Sequence, residues 1–91
     1  MKFRKATNND IELIVEMISD DKLGKTRENF QLPLPAEYLE PFEKINADQN
    51  QELFVVENED SEIIGTLQLS IIQYLTYRGG IRAQIEAVRI K

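Results

Sequence analysis

The segment Arg82-Ala-Gln-Ile-Glu-Ala-Val-Arg-Ile-Lys91 carries the pattern on which the fold of this chain depends. Its apolar residues first occupy odd positions, as in a strand with one buried face: Ile81, Ala83 and Ile85. They then move to even positions: Val88 and Ile90. A regular strand cannot bury both sets on one side, because side chains change face at every residue. One extra residue near Ala87 restores a common face, so the pattern predicts a β-bulge there. A strand buried on both faces is the alternative.

The composition is that of one globular domain. The chain has 91 residues, of which 42% are hydrophobic and 30% are charged. It has no apolar run long enough for a membrane-spanning helix, and no apolar run follows Met-Lys-Phe-Arg-Lys5, so we expect neither a membrane anchor nor a signal peptide. Cysteine and histidine are absent. Their absence excludes thiol and imidazole chemistry, and we expect a reducing, cytoplasmic location.

The charge is uneven along the chain. The net charge of −5 argues against nucleic acid as a partner. Residues 78–91 are basic, with four cationic residues against Glu86: Arg78, Arg82, Arg89 and Lys91. This excess of positive charge either favours binding of an anionic ligand or is a chance feature of a short segment. Four acidic residues in the turn 57–62 are expected to be solvated, so no metal site is predicted.

The first half of the chain predicts one short strand and two helices. The strand is Phe3–Ala6, and Thr7-Asn-Asn-Asp10 has the spacing of a capping box. An apolar stripe follows at helical spacing: Ile11, Ile14, Val15 and Ile18. These signals predict a helix from about Asn8 to Ser19, followed by an irregular loop at 21–34.

The second predicted helix starts at Pro35, a residue suited to a first turn. Its apolar stripe consists of Tyr38, Leu39, Phe42 and Ile45. Pro41 removes a hydrogen bond from a helix interior, so we expect a short first piece and then a main helix from about Glu40 to Ala47.

Three strands complete the predicted order β-α-α-β-β-β. They are Gln51–Glu57, Ile63–Tyr74 and the final segment, with a turn at 75–80 that contains Gly79 and Gly80. The odd face of the long strand is the more apolar, and we expect the helices to pack on it. Short connections favour antiparallel pairing. The predicted fold is α+β, with a mixed, mainly antiparallel four-stranded sheet and two helices.

Three stretches resemble the GNAT superfamily of acyl-CoA-dependent N-acetyltransferases. They are the opening Phe3–Ile11, the strand Ile63–Leu69 with its Ile-Gly pair, and Ile85–Ile90. The segments 21–27 and 32–35 are similar to those of a bacterial branch of the family. The resemblance implies that residues 1–91 are the N-terminal part of one such domain, a GNAT half-fold that stops before the loop that binds the pyrophosphate of CoA. We therefore expect the chain to be inactive when isolated.

The resemblance also implies the donor and its site. Acetyl-CoA is the expected donor, with its acyl-pantetheine arm held by main-chain groups of Val88, Arg89 and Ile90, as an added strand would be. A backbone amide freed by the bulge would donate to the oxyanion. Glu86 is the predicted general base that takes the proton of the amine. The alternative for Glu86 is a structural ion pair with Arg82 or Arg89.

Three residues are predicted to bind the acceptor amine, which is a small molecule or a peptide. Gln68 and Gln84 would line a pocket from adjacent strands, or lie on a solvated face. Arg27 would bind a substrate carboxylate, or be exposed without a role. Two alternatives to an enzyme are a non-catalytic interaction module and a truncated remnant. In either case the exposed last strand is expected to allow self-association. No membrane partner is expected.

Overall fold

The computed structural model describes residues 1–91 and contains one sheet with helices on one face. The strands are β1 (Lys2–Lys5), β2 (Gln51–Glu57), β3 (Ile63–Gln73) and β4 (Ile81–Ile90). The helices are α1 (Ile11–Ser19), α2 (Lys22–Arg27) and α3 (Leu39–Ala47). The strands lie in the order β1-β2-β3-β4, and every neighbouring pair is antiparallel. The predicted α+β class is confirmed. None of the helices combines the length and hydrophobicity needed to cross a bilayer.

The start of α1 is fixed by Asp10. A single turn of 3₁₀-helix, Asn8–Asp10, leads into the helix, so the predicted start is confirmed. The Asp10 carboxylate accepts hydrogen bonds from the backbone N–H and the hydroxyl of Thr7, at 2.8 and 3.1 Å. Arg4 on β1 donates two further bonds to the same carboxylate, at 2.8 and 3.0 Å, and one to Glu57 on β2 at 2.8 Å. One buried carboxylate therefore joins the helix start to the sheet.

The prediction of an irregular loop over 21–34 is wrong for Lys22–Arg27, which form the helix α2. In the structure the Asp21 side chain caps α2 by accepting a hydrogen bond from the Gly24 N–H. A Cβ atom at position 24 would clash with the carbonyl oxygen of Ile18. Glycine is thus required for α2 to follow α1 closely, and here it permits a helix rather than ending one.

The helix α3 begins after a 3₁₀ turn at Ala36–Tyr38, which is the short first piece that the sequence predicts. Pro41 is the third residue of α3. The first N–H groups of a helix have no partner within it, so proline is tolerated at this position.

The helices cover the even positions of β3, and the prediction that they pack on Leu67, Leu69 and Ile71 is wrong. Thr66 lies opposite the fully buried Val55 of β2, beneath the helices. The odd residues from 65 to 71 therefore point to a helix-free face. Ile63 does pack against the core, because a register shift places it opposite Glu57.

The predicted β-bulge is confirmed. Thr66 pairs with Arg89 and Gln68 pairs with Glu86, so Leu67 opposes two residues of β4. Ala87, one of the two, has a φ angle of +52°, in the left-handed region. The bulge restores the apolar face: Ile85 pairs with Leu69 and Ile90 pairs with Gly65, both on the helix-free side.

Candidate acceptor and acyl site

An apolar cleft of about 140 Å³ lies between the helices and the sheet and reaches the bulge. Most of its wall consists of aliphatic and aromatic side chains from α1, α3 and β2: Ile14, Val15, Ile18, Phe42, Ile45 and Leu53. Ala87 lines the end beside β4. The cleft therefore connects the helix layer with the irregular point of the last strand.

Three polar side chains also line the cleft, and each is hydrogen-bonded within the chain. The Thr66 hydroxyl donates to the carbonyl of Phe54 at 2.9 Å. Gln68 donates through Nε2 to Oε1 of Gln51, also at 2.9 Å. Tyr38 donates to Glu28 at 3.0 Å and accepts from the N–H of Asn29 at 2.8 Å. Burial raises the pKa of the Tyr38 phenol, with Glu28 adding to the shift.

Glu86 lies on the same side of the sheet as the cleft. It is the register partner of Gln68, and the bulge residue Ala87 follows it. Its Oε1 atom accepts from Nε2 of Gln84 at 2.9 Å, and Gln84 in turn accepts from Arg82 at 3.3 Å. Glu86 forms no ion pair, so the carboxylate is held by a neutral amide.

Gln68 and Gln84 share this face, but they are not directly opposite each other. Gln84 pairs with Ser70, two register pairs from the Gln68–Glu86 pair. Gln68 lines the cleft, whereas Gln84 contacts Glu86. The structure brings together the predicted residues Gln68, Gln84 and Glu86.

Arg27 lies elsewhere. It is the last residue of α2, and its guanidinium pairs with the neighbouring Glu28 at 3.1 Å. It does not line the cleft. Glu28 also accepts from Tyr38, so Arg27 is linked to the cleft only through this shared carboxylate.

The segment Val88–Ile90 runs along the free edge of the sheet, because β4 has a neighbour on one side only. The Arg89 side chain leaves this edge and lies against the helices. It donates to the carbonyl of Val88 at 2.9 Å and pairs with Asp21 at 3.0 Å, while its buried Nε atom has no partner. Asp21 was not identified from the sequence, although its spacing to Gly24 is that of a helix cap.

Several cleft residues were also missed. Leu53 and Thr66 lie within predicted strands, and Ile18 and Tyr38 lie within predicted helical stripes, so none of the four was predicted as a site residue. A gap between elements leaves no periodic signal, because its walls come from distant parts of the chain.

A sheet with a bulged edge strand, crossed on one face by helices that leave a cleft at the bulge, recurs in several solved structures. A transcriptional regulator from Bacillus halodurans C-125 is 46% identical and superposes with a TM-score of 0.90 over 98% of this chain and 59% of its own. Glucosamine-6-phosphate N-acetyltransferase from Arabidopsis thaliana is 22% identical, with a TM-score of 0.71 over 98% and 58%.

A predicted acetyltransferase with acetyl-CoA from Clostridium acetobutylicum is 22% identical, with a TM-score of 0.63 over 99% of this chain and 59% of its own. The searches with protein-family models and among curated proteins found no match. The chain has the fold of a half-length GNAT acetyltransferase domain, and it spans about three-fifths of the length of these structures.

Proposed function

We propose that this chain provides the acceptor site and the acyl-binding strand of an N-acetyltransferase that transfers an acetyl group from acetyl-CoA to an amine in the cytoplasm. The observation that carries the proposal is the bulge at Ala87, which adjoins both the cleft and Glu86. A bulge parts a strand from its neighbour and re-aims its groups, and bulges are frequent beside active sites.

The residues around the bulge fit an acyl-pantetheine arm. The free edge of β4 carries unpaired main-chain groups, which extended ligands use in the manner of an added strand. Val88, Arg89 and Ile90 supply those groups, and a backbone amide at the bulge supplies the oxyanion donor. Acetyl-CoA would provide a thioester, which is an activated acyl donor.

Glu86 is proposed as the general base. A carboxylate that is hydrogen-bonded to an amide, rather than neutralised by arginine, retains the capacity to accept a proton. Gln68 and Gln84 hold positions beside it and orient the amine. The chain contributes proximity by keeping the amine, the base and the acyl strand within one short stretch of sheet. Arg27, which pairs with Glu28 and does not line the cleft, is given no role in the acceptor site.

The test separates the arm of the donor from its nucleotide. We expect S-acetyl-pantetheine at millimolar concentration to shift the backbone amide resonances of residues 86–90 in the 91-residue chain, whereas adenosine 3′,5′-bisphosphate leaves them unchanged. Shifts spread evenly over the chain, or confined to the α1–α2 region, would contradict the proposal. The complete donor is expected to bind this chain weakly.

A second candidate function is that of a non-catalytic interaction module, and two observations favour it. The 46% identical Bacillus halodurans protein is described as a transcriptional regulator, and the outer edge of β4 is open to an added strand. The net charge of −5 favours a protein partner over DNA. Under this alternative, a strand-forming peptide protects the amides of β4 from exchange, and acetyl-pantetheine does not.

A further inference from the structure

We propose that the acceptor is a primary amine with an uncharged apolar group about as large as a phenyl ring, which enters the cleft while the amine remains at its mouth. This inference names the substrate class of the proposed site and rests on that proposed function. It is carried by the chemistry of the cleft wall and of its rim.

The size and lining of the cleft select the apolar group. Its volume of about 140 Å³ is close to that of engineered protein cavities of about 150 Å³ lined by leucine, isoleucine and phenylalanine, which stay dry and bind benzene. Nine of its twelve lining residues are hydrophobic. A polar substituent placed there would lose its hydration without a partner.

The polar lining residues do not change this selection, because each is already hydrogen-bonded within the chain. Thr66, Gln68 and Tyr38 each donate to a group of the chain itself. A ligand inside the cleft therefore meets no free O–H from these side chains, and the second N–H of the Gln68 amide is the one donor that they leave. A single amide N–H replaces little of the hydration that an anionic group would lose on entering.

Two free acceptors lie beside the end of the cleft that Gln68 and Ala87 line. The Oε1 atom of Gln68 receives no hydrogen bond from the chain, whose only bond to this side chain is made through Nε2. One carboxylate oxygen of Glu86 is likewise unused, since Gln84 donates to the other. Gln68 and Glu86 are register partners, and opposed side chains in antiparallel strands have Cβ atoms about 5 Å apart. Two free acceptors, one of them on a carboxylate, favour an ammonium or amine group at this rim.

No lysine or arginine lines the cleft. Arg82 donates to Gln84, Arg89 pairs with Asp21, and Arg27 pairs with Glu28. These three guanidinium groups are each engaged by a side chain outside the cleft lining, so a substrate carboxylate inside the cleft has no cationic partner.

The experiment uses matched probes on the 91-residue chain without any acyl donor. Benzylamine is expected to shift the methyl resonances of Ile14, Ile18 and Leu53, and toluene is expected to shift the same set. Ethanolamine, which keeps the amine, and benzoate, which keeps the ring with the opposite charge, are expected to bind at least tenfold more weakly. Equal binding of ethanolamine or benzoate would overturn the inference.

Two variants locate the binding. Ile45→Phe fills the cleft from α3 and is expected to weaken benzylamine at least tenfold, whereas Leu39→Phe, on the same helix but outside the cleft, is expected to leave it unchanged. Unaltered binding to a folded Ile45→Phe variant would refute the assignment. Should that variant not fold, competition decides: toluene must displace benzylamine, and independent binding of the two contradicts a shared cleft.

The outcomes for the two proposals are separable. Binding of benzylamine without any effect of acetyl-pantetheine at residues 86–90 retains the cleft and removes the acetyltransferase assignment. The reverse result retains the donor strand and removes the apolar acceptor.

Discussion

The Nη2 atom of Arg89 lies 3.0 Å from the Oδ2 atom of Asp21, so the strand that follows the bulge is fastened to the N-terminus of α2. Asp21 also caps that helix through the N–H of Gly24. One side chain therefore holds the proposed acyl strand against the helix layer.

The first prediction concerns this link. The hydrogen bond from Gly24, followed by the charge of Arg89, lowers the pKa of Asp21 below its ordinary value of 3.8. A lowered pKa in the folded state stabilises the chain above the ordinary value, and the effect is lost as pH falls through the folded pKa. Asp21→Asn is expected to speed amide exchange in residues 88–90 at pH 7. Asp20→Asn is the control, because Asp20 forms no ion pair, and equal exchange in both variants would refute the link.

The second prediction concerns Asp10, whose pKa is lowered chiefly by the hydrogen bonds from Arg4. Asp10→Asn is expected to reduce the free energy of unfolding by about 2 kcal/mol at pH 7, because it leaves the partners of a buried charged group unsatisfied. The difference from the parent chain should shrink as pH falls from the ordinary pKa of 3.8 through the lowered pKa of the native carboxylate. Urea unfolding at several pH values measures this, with the exposed Asp60→Asn as control. A difference that grows in acid would contradict it.

The third prediction tests the bulge through its backbone. Ala87 has a positive φ angle, which costs a non-glycine residue about 1 kcal/mol or more. Ala87→Gly is therefore expected to maintain or raise stability, whereas Ala83→Gly, in the regular part of the same strand, should lower it by about 0.5–1 kcal/mol. Urea midpoints compare the two, and equal losses would mean that residue 87 is not held in the left-handed region in solution.

The fourth prediction concerns the proposed base. In a chimera that joins residues 1–91 to the remaining part of the Bacillus halodurans relative, Glu86→Gln is expected to lower the acetylation rate of benzylamine by about 100-fold and to alter its pH dependence. Glu52→Gln provides the control, because Glu52 pairs with Leu69 and lies on the opposite face of the sheet. An unchanged rate in folded Glu86→Gln would assign Glu86 to structure.

The fifth prediction concerns the free edge of β4. Its side chains on the helix-free face are exposed, with 61% of Ile85 and 79% of Ile90 accessible. An unpaired strand with exposed apolar residues associates with other strands, so the chain is expected to self-associate through residues 82–91. Sedimentation at several concentrations should show this. Ile85→Lys should reduce it more than Ile71→Lys, which lies on the same face of β3, and a concentration-independent monomer would contradict it.

Sequence reasoning recovered the parts of the fold that leave a local pattern. The change of phase at Val88 predicted the bulge, and the spacing from Thr7 to Asp10 predicted the start of α1. The pattern of β3 failed to predict the side that the helices cover. Alternation shows which face of a strand is more apolar. Which face the helices cover is determined by the connections between elements and by contacts between distant residues. The apolar odd face of β3 is free of helices, whereas the polar Thr66 is buried beneath them, so apolar character alone does not predict which face is covered.

The candidate site was also predicted only where a local pattern exists. Glu86 and the segment from Val88 to Ile90 were predicted from the bulge and from the resemblance to the GNAT superfamily, and Gln68 was predicted from its position on β3. The role of Asp21 depends on a contact across 68 positions of sequence. The cleft depends on how far α1 stands from α3, a distance set by packing and not by any local motif.

The extra residue at the bulge also constrains how this strand can evolve. Since one inserted position reverses the alternation, removal of Ala87 alone would turn Arg89 away from Asp21 and send Ile90 toward the helices. Every side chain downstream would exchange its surroundings, although the composition would change by a single alanine. Length variation in this strand is therefore confined to its ends, because one alanine with a positive φ angle determines which side chains lie on each face.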